Sequence, residues 1–344
     1  MDSRFRGNGS FDTYCCQCNK GLANRRPPPA GKTCDLRRDL TNEMTTDQAG
    51  TIYADALAYL NQVRERVSDQ RSFRIDPVIP IIERIIDHPG DLHPFFPLTM
   101  KNRPDEYYMV SHQVNAIFFA LKIGISFDYH RDKLVELALC AVLHDIGIFV
   151  LDERILNTSQ ALTDEEFNLV RTHSETGRDL LAVHEEAYPF LPEVVYQHHE
   201  RENGQGYPRG LRGNEIHEYA KIISIIDCYE AMINHRPHRK ALMQSLSARE
   251  LVVQSKQALF PPHIIKAFLS EITLYPTGSC VRLNNKLTCE VVATDRRHPF
   301  RPDVKVLFNI DGSPVAYEKM IRLRDHPHFF ILEPVDPNAL PERP

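Results

Sequence analysis

The sequence predicts a mainly α protein, an antiparallel helical bundle followed by a small C-terminal β module. Three observations carry this reading. Apolar residues recur at three- and four-residue steps through most of residues 46–275. Histidines and carboxylates stand in or at the ends of those apolar stripes, about 25 to 32 residues apart, one helix and one loop per step. After Pro276 the helical period gives way to short apolar or alternating segments separated by Asn, Gly and Pro.

Composition bounds the function classes. The 344 residues suffice for one large domain and a smaller one, and a formal net charge of -5, with 25% charged and 42% hydrophobic residues, describes a soluble globular protein. A basic nucleic-acid binder is excluded, so neither a DNA nor an RNA duplex is an expected partner. No membrane span and no signal core stand out, which predicts a cytoplasmic protein without a membrane partner.

Residues 1–43 combine Gly, Asn, Arg and the run Pro27-Pro28-Pro29 without apolar periodicity, and are predicted to be disordered. The opening MDSRFRGNG resembles a translated bacterial intergenic repeat, which makes Met44 an alternative start. Cys15, Cys16, Cys18 and Cys34 could offer thiolates to zinc but lack paired C-x-x-C spacing. Cys140, Cys228, Cys280 and Cys289 read as buried thiols in a reducing compartment. Residues 44–104 hold two amphipathic helices that pack on the core, one striped by Ile52, Ala56, Tyr59, Leu60, Val63 and Val67, the other by Ile79, Ile82, Ile85 and Ile86.

The main domain spans residues 105–275. A helix over 107–125 carries His112 ahead of an apolar run, and one beginning near Asp132 buries Leu134, Leu137, Ala138 and Ala141 before ending at His144-Asp145-Ile146-Gly147. Thr163 and Glu166 form a capping-box signature, after which Phe167, Val170, His173, Gly177 and Leu180 share one helical face. His198, His199 and Glu200 lead into a turn with Gly204, Gly206 and Pro208. On a regular helix that pair would point about 100° apart, suited to straddling two close ions. From about Asn214 a further stripe, Ile216, Ala220 and Ile223, reaches Asp227 by one more four-residue step. Residues 276–344 form the β-rich module, which reads as a structural cap because no ionisable cluster stands out in it.

His112, His144, Asp145, His173, His198, His199 and Asp227 supply seven nitrogen and carboxylate donors. Carboxylates beside apolar stripes are costly to bury unless a cation meets them. With Asp145 bridging, the set suits two divalent transition-metal ions with positions left for water and substrate.

The motifs HDIG, HHERENGQGYPRGLRG and DCYEAMINHRPHR, together with His173, resemble the HD-GYP family, the branch of HD-domain metal-dependent phosphohydrolases that hydrolyses bacterial cyclic di-GMP; the similarity covers roughly residues 105–275. The resemblance implies an HD-type helical bundle and iron or manganese, with hydrolysis giving linear pGpG and the further step to GMP left open. It assigns His112, His144, Asp145 and Asp227 to one ion and Asp145, His173, His198 and His199 to the other, with Asp145 bridging both and orienting the attacking hydroxide. Gly206, Tyr207 and Pro208 would form the signature loop, Tyr207 orienting it or touching nucleotide, while Arg236 and Arg239 would hold phosphate. Some members recruit a third ion through a Glu one turn before the first histidine; Tyr108 stands there, which implies two ions. Ile148 replaces the family lysine, which implies reduced hydrolysis. A weak or inactive receptor signalling through a protein partner, and an HD phosphohydrolase for another nucleotide, are the competing readings; a homodimer is also open.

Overall fold

The computed structural model describes residues 44–88, 92–100, 107–158, 160, 162–236, 241–272, 274–275, 277–295, 297–335 and 340. The expectations for residues 1–43 and for Arg239 therefore lie outside the described residues.

Helix α1 (Thr46–Ser68) starts on a reciprocal capping box between Thr45 and Gln48 and buries Ala49, Ile52, Tyr53, Ala56, Tyr59, Leu60, Val63 and Val67. α2 (Ile79–Ile86) follows, then the short α3 (Phe96–Thr99). α4 (Tyr108–Ser126) and α5 (Arg131–Leu143) are apolar around most of their circumference, which only a helix enclosed by others tolerates. They pack on each other, α1 lies against α4, and α2 lies against α5. The Tyr53 hydroxyl donates to Asn115 Oδ1 at 2.7 Å, a buried bond between α1 and α4.

Next come α6 (Glu153–Leu156), α7 (Asp164–Arg171), α8 (His173–Leu181) and α9 (Leu191–Gln197). The Thr163/Glu166 capping box forms as predicted. The single face expected through Phe167 and His173 does not: the chain breaks at Thr172, α7 buries no residue, and Phe167 is 51% exposed. The stripe holds only beyond the break, where His173 and Gly177 are buried. α10 (Glu218–Ile233) begins after Ile216 rather than at Asn214, its first turn capped by His217. α11 (Gln244–Lys256) and α12 (Pro262–Glu271) complete the helical part, with α10 and α12 both against α4.

The C-terminal strands β1 (Cys280–Leu283), β2 (Thr288–Ala293), β3 (Asp303–Phe308), β4 (Met320–Arg322) and β5 (Ile331–Val335) form one antiparallel sheet in the order β4-β3-β2-β1-β5. The register pairs Val281 with Cys289 and Val291 with Val304. All four belong to the same buried apolar cluster as Leu274, Tyr275 and the helices. The module thus shares its core with the bundle. Among the described residues no helix is long and apolar enough to cross a membrane.

Candidate metal centre

The seven predicted donors lie on five structural devices, and the structure brings all seven together. His112 faces inward from the second turn of α4. His144 and Asp145 follow the last residue of α5, where the chain turns into a 3-10 helix. His173 opens α8, His198 and His199 follow α9, and Asp227 sits in the third turn of α10.

Glycines let these devices approach. A Cβ on Gly147 would lie 2.0 Å from the His173 carbonyl oxygen, and one on Gly177 would lie 2.8 Å from Val195 Cγ1, so the HDIG turn, α8 and α9 meet at a separation that only glycine permits.

Two groups of four result: Asp145, His173, His198 and His199; and His112, His144, Asp145 and Asp227. Within each group, one ligand atom per residue lies within 4.8 Å of the others. Asp145 belongs to both and divides its oxygens between them. Its Oδ1 is 3.1 Å from His173 Nε2 and 3.3 Å from His198 Nε2. Its Oδ2 is 3.4 Å from His144 Nε2 and 3.7 Å from His112 Nε2, and Asp227 Oδ1 is 3.3 Å from the same His112 nitrogen. His198 and His199 fall in one group, as the family resemblance implies and not as the straddling of a regular helical pair would have it. The reason is local: α9 ends at Gln197, so the two residues leave the regular helix as they reach the centre.

The ring tautomers are set from outside. His144, His173 and His198 donate Nδ1–H to the carbonyls of Ala141, Val170 and Val195, each three residues earlier, at 2.8, 2.6 and 2.6 Å. His112 Nδ1 is bound by the Glu230 carboxylate. With the ring proton kept at Nδ1, each of these four Nε2 atoms presents a lone pair to the centre when its imidazole is neutral. His112 Nε2, His144 Nε2 and Asp145 Oδ1 are buried without a hydrogen-bond partner, and His173 Nε2 stands 3.3 Å from His198 Nε2 and 3.1 Å from His199 Nε2. Buried acceptors facing one another repel unless a cation or proton lies between them. The donor set, imidazole and carboxylate without thiolate, fits divalent transition metals.

The ionisation of the metal-free centre follows from the same contacts. Burial opposes charge on Asp145, but His144 and the close approach of the His173 and His198 imidazoles outweigh it and hold the carboxyl well below its usual range. Asp227 is held low in the same way, chiefly by His112. Burial pushes His144 down to about 4, and with the neighbouring imidazoles it lowers His199. His112 goes the other way: burial disfavours its charge, but Glu230 overcomes that and pushes it up to about 10.

Two buried carboxylates beside the centre, Glu230 and Glu200, received no role from the sequence, although Glu200 stands out there next to the histidine pair. Glu230 is 2% exposed and accepts from His112 and, through Oε1, from Asn115 Nδ2 and Asn234 Nδ2, both at 2.7 Å. The available signal was its position three residues after Asp227, on the same face of a buried helix. Glu200 is equally buried and gathers the backbone N–H groups of Arg209, Gly210 and Leu211 at 2.7, 3.1 and 3.0 Å, which folds the signature loop back over α9. A Cβ on Gly206 would meet Glu200 Cα and Arg201 N at 2.4 Å, so this glycine is required by space. Pro208 follows a cis peptide bond. Tyr207 stacks on His199, ring centroids 4.6 Å apart, with Arg171 4.4 Å from the Tyr207 centroid. Tyr207 thus braces a donor.

Arg236 lies 5.8 Å from the Tyr108 ring. Together with Tyr108, Ser111 and His112 it lines a cavity of about 460 Å3 that also touches the C-terminal sheet through Ser279, Val281 and Pro334. Ile148 is 5% exposed and belongs to the apolar core, so no cation occupies the family's lysine position.

Comparison with known proteins fits this geometry. Residues 101–264 match the HD domain family and residues 280–343 match the KOW domain associated with HD domain. The chain is 33% identical over 236 residues to a cyclic di-GMP phosphodiesterase of Pseudomonas aeruginosa, covering 68% of this chain and 55% of that protein. It is 34% identical over 139 residues to a cyclic di-GMP phosphodiesterase of Thermotoga maritima, covering 40% of this chain and 37% of that one. It thus spans about half or less of the length of these relatives. An HDG"Y"P protein from Bdellovibrio bacteriovorus shares the fold, with a TM-score of 0.54 at 16% identity over 68% of this chain and 74% of that one.

Proposed function

The chain belongs to the HD-GYP family of HD-domain proteins, and from that premise we propose that it is a cytoplasmic metal-dependent phosphodiesterase that hydrolyses cyclic di-GMP to linear pGpG, with the step on to GMP left open. The observation that carries the proposal is the division of Asp145, one oxygen toward each group of imidazoles. His112, His144, Asp145 and Asp227 would hold one divalent ion and Asp145, His173, His198 and His199 the other, iron or manganese by donor type. Bound there, two such ions supply positive charge to the phosphate oxygens and acidify the attacking water.

The chain's own residues do the rest. Glu230 and the backbone carbonyls keep the imidazole protons at Nδ1, so that the Nε2 lone pairs stay available. Tyr207 and Glu200 hold the loop that fixes His199. Arg236, without an ion-pair partner among the described residues, is placed to receive a phosphate oxygen as a planar guanidinium. Tyr108 offers a neutral phenol where a third ion would need a carboxylate, which supports two ions rather than three.

Incubation of metal-loaded protein with cyclic di-GMP tests the proposal, with pGpG as the expected product on chromatography. Ile148, buried and neutral, favours the receptor as a second reading. Tight binding without product would establish that reading. Neither binding nor product would remove cyclic di-GMP from both.

A further inference from the structure

The cavity beside the metal centre has two chemically distinct ends. Of the seven donor residues it meets only His112, next to Glu230 and within reach of Arg236. Beyond them and His235 its lining carries no acidic or basic side chain. Gln244 and Ser245 of the first turn of α11 face it, as do the apolar Leu274 and the sheet residue Val281. Its volume of about 460 Å3 falls within the range of small-ligand sites. One polar group there is unfinished: Gln244 Oε1 has no hydrogen-bond partner among the described residues and is shielded from solvent, so a turn of its amide is what presents the acceptor to the cavity.

A nucleotide matches this polarity, its phosphate at the cationic end and its base at the neutral end. Apolar side chains suit the faces of a purine ring. An unpartnered acceptor suits guanine, which carries two donors, N1–H and the 2-amino group, on its pairing edge, where adenine carries an acceptor at N1.

We propose that this cavity is a nucleobase subsite, with the C-terminal sheet as one wall and Gln244 as the acceptor that favours guanine over adenine. The inference rests on the cyclic dinucleotide reading above. It changes the role of the β module. The module shares the bundle's core, as a structural cap would, and it also shapes the site that selects the substrate.

Two variants of the metal-loaded protein test this, neither touching a donor. Ser279→Trp adds an indole to the cavity from a half-buried position at the start of the sheet. Gln244→Leu removes the acceptor at nearly constant size. Ser279→Trp is expected to raise KM for cyclic di-GMP about tenfold or more. Metal content, Tm and hydrolysis of bis(p-nitrophenyl) phosphate, a diester without a base, should stay unchanged. Gln244→Leu is expected to reduce the preference for cyclic di-GMP over cyclic di-AMP by on the order of tenfold.

An unchanged KM in Ser279→Trp, or an equal loss on both diesters, overturns the subsite. An unchanged base preference in Gln244→Leu overturns guanine reading. If the wild-type protein cleaves the simple diester but no cyclic dinucleotide, the proposed activity fails on its own. Equilibrium binding of cyclic di-GMP then decides: binding weakened by Ser279→Trp upholds the subsite, and binding that is absent or indifferent to the variant overturns it.

Discussion

Replacing Glu230 with glutamine isolates the contribution of a residue that meets the metal centre only through His112. The carboxylate has two occupied sides: Oε2 receives the His112 Nδ1 proton, and Oε1 receives Asn115 Nδ2 and Asn234 Nδ2. An amide cannot serve both. With its NH2 toward His112, two donors meet unless the imidazole moves its proton to Nε2, which removes the lone pair aimed at the centre. Flipped, the NH2 faces two asparagine NH2 groups. Losing such an orienting partner typically weakens metal affinity about 10- to 100-fold. Only the group containing His112 should suffer, so mild chelation that leaves two ions per wild-type chain should leave one in Glu230→Gln. Metal analysis by mass spectrometry after dialysis against graded chelator reads this directly. Glu250→Gln, an exposed change on α11, is the control. Two ions retained with wild-type affinity, in a variant of unchanged Tm, would refute the account of how His112 is oriented.

Three further outcomes follow from the same geometry. In the metal-free protein the raised pKa of His112 adds stability that is fully present below about 6.5, the unfolded value, and is lost as pH rises through about 10. Metal must displace that proton, so chelator-competition affinity should climb about tenfold per pH unit or more between pH 7 and 9, and a flat profile would show His112 to be neutral. Gly206→Ala should cost about 3 kcal/mol or more, because its Cβ meets backbone rather than a movable side chain, and should depress metal content through His199; a wild-type melting curve would contradict the packing. Ile148→Lys should raise kcat about tenfold or more at unchanged metal content while lowering Tm by several degrees, since it exchanges a core residue for an ammonium. No gain in kcat would clear Ile148 of responsibility for weak turnover.

The bundle was legible because its helices bury what the period says they bury. The stripe of α1 appears in the structure residue for residue, and the Thr163/Glu166 box caps α7. The failures came where the chain departs from regular helix. Periodicity carried through Thr172 joined α7 to α8 and buried Phe167 on paper, but an i, i+3 step means nothing across a break. The straddling expected of a regular helical pair fails at His198 and His199 for the same reason, whereas the resemblance puts both in one group. The 100° rule applies within a helix, and these residues stand just past the end of one.

The donors themselves were legible through cost: a carboxylate beside an apolar stripe demands a partner, and two such carboxylates with five histidines, spread at one-helix intervals, demand the same partner. Glu230 was not, because the same rule that exposed Asp227 has no means of separating a ligand from the residue that orients one. Both are carboxylates on one face of α10, three residues apart, Glu230 buried and Asp227 half-buried. What distinguishes them is which nitrogen of His112 each one meets, Nε2 for Asp227 and Nδ1 for Glu230, and His112 is 118 residues from Glu230 in the chain. The β module escaped for a related reason. A search for ionisable clusters finds metal sites and general acids, but a base subsite is built from amides and apolar surface, and Ser279 or Val281 gains meaning only once α11 lies opposite across a cavity. Sequence patterns therefore expose the charged half of a nucleotide site before the neutral half, since buried charge is conspicuous in a chain and neutral complementarity exists only between elements that have already packed.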